Sequence, residues 1–400
     1  MKKPKEARSP KKLKVVHINF SDLGGGAEEF ARSISARQNN VLLVKTKQTS
    51  DSHVKEISKG KLNWFVKILD KLTWKLGFKR SFRAVLGIQD QFHFSYSQIR
   101  KERAYRNADI VHLHNIHGEF FDFTAVRKIR KEKPIVWTSH DMWLMTGGEG
   151  FIFDGMTRED RMNSYPLRRP LIDTRKYNLN TKKKLLNNNL DKMVLVSPST
   201  YHEKRLRNAY PLIPIQMIHY GIDLTVFYPR DERNDSIAQV LIFSSKSIYK
   251  RSEEVIRSLS NVRKMFHLHV IGTPIPKIAK HQTNHDFIIG RKELAELFRR
   301  MDVGIFSSNE ETFGLLPAEV AACGTKVLLN SALNVFHEHK ELYNAELFED
   351  ENDLTHKVSE SIDHLESTRQ WGDRSAELIK INLSRKKTFE RYSSLYQQLL

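Results

Sequence analysis

Short apolar runs rich in Val, Ile and Leu alternate along the chain with stretches whose apolar residues recur every three or four positions. The first pattern marks buried strands and the second amphipathic helices. The runs fall at 14–19, 40–44, 109–114, 134–139, 192–196 and 216–220, and again at 240–244, 268–272, 287–290, 303–307 and 326–329. Strands separated by helices pair in parallel, which predicts an α/β protein. They are too many for one comfortable open sheet, and 228–235, with Pro229 and a cluster of charges, reads as a linker between two similar units. The expected organisation is a disordered basic arm at 1–13, a first unit at 14–228 and a second at 229–384. A helix at 385–400, with Phe389, Tyr392, Leu395 and Leu399 on one side, could pack back on the first unit.

With 400 residues, 40% of them hydrophobic, the chain can bury a full core, which excludes a stapled mini-protein and a disordered chain. One cysteine, Cys323, allows no internal disulfide, and no Cys/His cluster has zinc spacing, so a reducing cytoplasmic setting without metal is expected. The net charge of +19 points to an anionic partner, and segments 1–14, 61–83 and 156–184 hold nearly all of it. Within the second of these, Leu62, Phe65, Val66, Leu69, Leu72 and Leu76 repeat at helical spacing. Lys67, Lys71, Lys75 and Lys79 stand on another face, flanked by Trp64 and Trp74. This is the make-up of a helix lying on an anionic membrane, the alternative being an ordinary amphipathic helix packed on its own unit. No apolar run is long enough to span a bilayer. Nucleic acid is not expected as a partner, because the basic segments lack stacking platforms and no nucleic-acid-binding motif occurs.

Candidate chemistry sits at strand ends. The first strand runs into Gly24, Gly25 and Gly26 and then a helix, a turn that lets backbone approach an anion closely, although it could also be a merely flexible turn. In the second unit a strand is followed by Glu311, Thr312, Phe313 and Gly314, then by a helix opening at Leu315 with Pro317 in its first turn and Gly324 at its stop. Glu311 in the loop and Glu319 in the helix face the strand end where an α/β protein keeps its ligand. A nucleotide sugar needs such groups: one carboxylate for ribose hydroxyls, one for a sugar hydroxyl, and helix-start N–H groups for a diphosphate.

This segment resembles the E-x7-E region of retaining glycosyltransferases of the GT-B fold, especially glycosyltransferase family 4. Supporting pieces follow in the family's order: the Gly24, Gly25, Gly26 turn, the run from His112 through His114 to His117, the Ser139-His140-Asp141-Met142-Trp143 segment, Ser197-Pro198-Ser199, and Tyr220-Gly221-Ile222-Asp223. The His-Asp-Met-Trp stretch resembles the branch that builds bacterial exopolysaccharides of the colanic acid type. The resemblance implies two Rossmann-like domains facing across a cleft, the first binding the acceptor and the second the donor. It implies catalytic roles for Glu311, His140 and Lys250. Glu319 would hold the donor ribose, Glu311 with the backbone of Phe313, Gly314 and Leu315 the transferred sugar, and His140 would face that sugar from the other domain. The glycine turn would join the donor site, while His114, His117 and Asp141 would lie on the acceptor side.

Two departures shape the expectation. The family's arginine after the first strand of the second domain is a serine here, so Lys246 or Arg251 is the candidate second cation beside Lys250 for the diphosphate. The cysteines usual after His-Asp-Met-Trp are replaced by Thr146-Gly147-Gly148-Glu149-Gly150, which points to a different acceptor. His112, His114, His117 and His140 could be imagined as metal ligands, but no carboxylate or cysteine partner has ligand spacing, and no metal or other cofactor is expected. The implied activity is retaining hexosyl transfer from a nucleoside diphosphate sugar to a lipid-linked glycan at the inner membrane face. In the implied mechanism the departing phosphate oxygen accepts the acceptor's proton. Epimerase, phosphorylase, nucleic-acid-binding and inactive-scaffold readings are the alternatives.

Overall fold

The computed structural model describes residues 13–400 except 38–39, 58–63, 79–80, 89, 92–94, 119, 154, 158–159, 162–170, 188–191, 231–232, 234 and 287–289. Residues 1–12 of the expected arm, the residues Leu62, Lys61, Lys79 and Arg80, and most of the expected strand at 287–290 therefore lie outside the described residues.

Two parallel sheets carry the fold. The first holds β1 (Val15–Ser21), β2 (Val41–Thr46), β3 (Val54–Glu56), β4 (Ile110–Leu113), β5 (Ile135–Thr138), β6 (Met193–Ser197) and β7 (Ile215–Met217) in the order β3-β2-β1-β4-β5-β6-β7. The second holds β8 (Ala238–Ser244), β9 (Phe266–Gly272), β10 (His281–His285), β11 (Val303–Phe306), β12 (Lys326–Asn330) and β13 (Glu346–Phe348) in the order β10-β9-β8-β11-β12-β13. Both are doubly wound, with the order reversing beside β1 in one unit and beside β8 in the other. Ligands of such sheets bind outside the carboxyl ends of strands at these switch points. The central strands VVHINFS, IVHL, IVWT and VGIF are buried along almost their whole length because helices cover both faces.

β10, which the apolar pattern does not mark, has the sequence HQTNH. It is an edge strand pairing only with β9 among the described strands, so it needs no apolar face. The C-terminal helix Arg385–Gln398 returns to the first unit. Its Tyr396 hydroxyl meets His112 Nδ1 at 2.6 Å, Tyr392 meets Thr138 Oγ1 at 2.9 Å, and Arg385 donates to Asp223 at 2.8 Å.

The units also touch directly. Ser199 Oγ donates to the Thr312 carbonyl at 2.5 Å, and Thr312 Oγ1 to the His140 carbonyl at 2.8 Å. The Glu338 carboxylate accepts from the Thr200 and Tyr201 amides at the start of the helix Thr200–Ala209 in the first unit, where the helix dipole favours an anion.

Candidate active site

A cleft of about 740 Å³ opens between the carboxyl ends of β1, β8, β9 and β11. From the first unit it is lined by Gly24, Gly25 and Gly26, by Arg32, and by His140 and Tyr220. Gly26 opens the helix Gly26–Ser35 and lies against the other unit, since a Cβ there would stand 3.2 Å from Leu315 Cδ2.

From the second unit come Lys250, Arg291, Glu311, Gly314, Leu315 and Glu319. Gly314, at φ +85°, caps the helix Leu315–Ala322; a side chain there would strain the backbone and press on His339 and Phe336 at 3.2 Å. Lys250 closes a short turn after β8 and donates from Nζ to Glu311 Oε1 at 2.5 Å, while Ser308 Oγ donates to the same oxygen at 3.0 Å. Burial opposes the ammonium charge, but Glu311 outweighs it and holds the Lys250 pKa above its ordinary value. Glu319 is 2% exposed and gripped by two nitrogens of Arg291, at 2.5 and 3.2 Å. Burial pushes its carboxyl pKa up against the pull of that arginine.

Two helix N-termini, two glycine-bearing turns, four carboxylates (Asp22, Glu29, Glu311 and Glu319) and several cations thus converge on one space. The model of the family described as Glycosyltransferase Family 4 matches residues 26–226, and a second, described as Glycosyl transferases group 1, matches residues 238–364. The chain belongs to glycosyltransferase family 4. The Escherichia coli (strain K12) protein named "Putative colanic acid biosynthesis glycosyl transferase WcaC" is 23% identical over 241 residues, which cover 55% of this chain and 59% of that protein. The match therefore spans less than two thirds of that relative. Sucrose-phosphate synthase from Thermosynechococcus elongatus superposes with a TM-score of 0.68 at 14% identity, covering 97% of this chain and 99% of the other. HepE of Anabaena, in complex with UDP and glucose, gives 0.68 at 13% identity, covering 96% and 100%. These likenesses show the two-domain GT-B fold.

Set against the residues that the family resemblance implies, this family 4 member differs in several places. Neither Lys246 nor Arg251 lines the cleft. Lys246 is exposed, and Arg251 pairs with Glu254 and reaches Asn309 Oδ1 at 3.3 Å. The arginines facing the cleft are Arg291, whose guanidinium also stacks over Phe227 at 4.7 Å, and Arg32, held by Glu29 and Asp51. Arg291 is not among the residues singled out from the sequence; the signal that could have found it is Gly290 before a new helix, Arg291–Phe298. The Phe313 side chain is fully buried against His219, Tyr220 and His339, which leaves the role implied for Phe313 to its backbone.

His114 does not reach the acceptor side. It is 1% exposed, with Nε2 on His17 Nδ1 at 3.1 Å and Nδ1 on His140 Nε2 at 2.9 Å, so both ring nitrogens are spent inside the sheet. His117 pairs with Asp141 at 2.7 Å and faces a separate cavity of about 30 Å³ with Asp90 and Lys182. Burial opposes its charge, but Asp141 outweighs that and raises the His117 pKa. His17, His112 and His114 also offer nitrogens within 4.8 Å of one another. His112 and His114 stack at 4.1 Å, however, and the His112 nitrogens are engaged by Tyr396 and Thr138, a stacked arrangement unlike a tetrahedral ligand set.

Proposed function

We propose that the chain is a retaining hexosyltransferase that moves a sugar from a nucleoside diphosphate sugar to a hydroxyl of a growing glycan in surface or exopolysaccharide synthesis. The observation that carries this reading is the meeting in one cleft of the glycine turn and a helix start from the first unit with Lys250, Arg291, Glu311 and Glu319 from the second. A diphosphate suits two helix N-termini and two cations. Glu319 suits the ribose and Glu311 the transferred sugar. As the bond to the sugar breaks, negative charge grows on the diphosphate, where Lys250 and the preorganised helix starts stabilise it. The departing phosphate oxygen takes the proton of the acceptor hydroxyl while the new glycosidic bond forms on the same face. Family 4 membership, the colanic acid name of the relative and the nucleotide and sugar bound by the structural neighbour support this donor class.

The acceptor is lipid-linked in this proposal, and the protein rests on the inner face of the membrane. Among the described residues no helix is long and apolar enough to cross a bilayer. Support comes from exposed apolar side chains: Ile68, Leu72, Trp74, Leu76 and Phe78 in and after the helix Trp64–Lys75.

A thermal-shift screen of nucleoside diphosphate sugars, followed by product analysis with the stabilising donor, tests the reading. A new glycosidic bond is expected. Sugar isomerisation without a new bond would make the protein an epimerase, a requirement for free phosphate would make it a phosphorylase, and stabilisation by no sugar nucleotide would remove the donor site.

A further inference from the structure

A line of rings runs from the cleft wall into the first sheet. Tyr220 and His140 line the cleft, His114 lies behind them just after β4, and His17 ends the line on β1. Tyr220 O meets His140 Nδ1 at 2.5 Å, His140 Nε2 meets His114 Nδ1 at 2.9 Å, and His114 Nε2 meets His17 Nδ1 at 3.1 Å. At the far end His17 Nε2 is buried without a hydrogen-bond partner. Burial holds all three imidazoles far below their ordinary pKa, so each carries one proton.

One proton per ring forces all three bonds to run the same way. If Tyr220 donates inward, the proton of His17 ends on Nε2, leaving an N–H buried with nothing to receive it. If the bonds run outward, His17 Nδ1–H donates to His114, His114 Nδ1–H to His140, and His140 Nδ1–H to the Tyr220 oxygen. The unsatisfied group is then a bare ring nitrogen, and the Tyr220 hydrogen is free to be given elsewhere. Buried N–H groups without acceptors are the rarer defect, which favours the outward direction.

We propose that the His17–His114–His140 line fixes His140 as its Nδ1–H tautomer and makes the Tyr220 hydroxyl, not the His140 ring, the hydrogen-bond donor offered to a hydroxyl of the transferred sugar. The three histidines are then positioning residues, and Tyr220 is the group that touches substrate. Both His140 ring nitrogens are occupied within the line, so the ring has no polar atom left for the sugar. The inference rests on the nucleotide-sugar reading above.

Its first test needs no substrate. Long-range proton–nitrogen correlation spectra of ligand-free protein labelled with ¹⁵N-histidine read each tautomer, His140 and His114 being assigned by single substitution. Protonated Nδ1 on both is expected; protonated Nε2 on either overturns the relay. The second test is release of nucleoside diphosphate, without acceptor, from whichever sugar nucleotide the screen yields. Tyr220→Phe should lower kcat by about tenfold or more while nucleoside diphosphate affinity stays within about twofold. Unchanged kcat overturns the contact. Should that variant not fold, His17→Asn, which keeps a donor near the Nδ1 position, should retain more activity than His17→Leu, and equal activities overturn the proposal. If no sugar nucleotide is turned over, the proposed function falls while the spectra still decide the relay.

Discussion

Glu311 and Glu319 meet the cleft in different states of readiness. Glu311 shares its oxygen with a lysine and a serine in a loop, whereas Glu319 is sealed beneath an arginine in a helix. Glu319→Ala is therefore expected to weaken sugar nucleotide binding and Glu311→Ala mainly to reduce turnover, each by about 1.5 to 3 kcal/mol for a lost charge-assisted hydrogen bond. Titration calorimetry and kinetics on both variants separate these outcomes, and wild-type values would remove the roles. For the diphosphate, Lys250→Ala and Arg291→Ala should raise the Kd of the nucleoside diphosphate, while Lys246→Ala and Arg251→Ala, which alter side chains outside the cleft, should not. Lys182 supplies a residue-scale test of a different kind. Its ammonium lies over Trp143 at 3.5 Å and donates to two carbonyls, and burial pulls its pKa from 10.5 to about 7. Between those two values the unfolded chain holds a proton that the folded chain lacks, so stability rises with pH across that window and is flat below it. The unfolding free energy of the protein minus that of Lys182→Met should therefore increase from pH 7 to pH 10, and a constant difference would contradict the shift.

The elements were legible where local pattern and tertiary fate agree. Buried central strands such as β4, β5 and β11 are apolar because helices cover both of their faces, and their runs could be read directly. Strands β3, β10 and β13 are short, partly polar and at sheet edges, and nothing in their spacing distinguishes them from loops. The same divide runs through the candidate site. Glu311, Gly314, Glu319 and Lys250 sit in turns and helix starts that carry their own sequence signals. Arg291, Arg32 and the ring line below His140 exist only through contacts between distant segments. The helix Trp64–Lys75 carries an element-scale prediction. Its apolar residues Ile68, Leu72 and Trp74 face solvent, with Lys71 and Lys75 exposed beside them, so packing within the unit does not account for these three. Anionic lipid attracts each nearby basic side chain by roughly 1 kcal/mol, and salt screens that attraction. Cosedimentation with anionic vesicles should be strong at low salt and weak at high salt. Changing Lys67, Lys71, Lys75 and Lys79 to Gln should abolish it while donor binding survives, and Leu72→Ser with Trp74→Ser should weaken it. Equal binding to neutral vesicles, or none, would leave the stripe a solvated face.

At the scale of the whole molecule, the cleft exists only while the two units stay in register, and an ion pair next to the candidate chemistry joins them. Arg205, on the helix Thr200–Ala209 of the first unit, donates to both oxygens of Glu310 at 2.8 Å, and Glu310 immediately precedes Glu311. The two partners are unequally placed: the Glu310 side chain is 3% exposed and that of Arg205 is 30% exposed. Removing the arginine takes the ion-pair partner from a carboxylate buried in the interface, whereas neutralising the glutamate returns the arginine to water with a polar amide still in place. The costs should therefore be asymmetric. Arg205→Ala is expected to destabilise by about 2 to 4 kcal/mol, at most the range for breaking a buried pair, and Glu310→Gln by clearly less. The double variant should be more stable than Arg205→Ala alone, since the buried charge that lost its ion-pair partner is gone. Donor affinity should follow the same order, because displacement of Glu310 moves the loop that carries Glu311 and the Thr312 contact to His140. Denaturant unfolding of the three variants, with nucleotide titration of each, measures both orders. A double variant that loses the full sum of the two single effects would show that the pair does not couple the units.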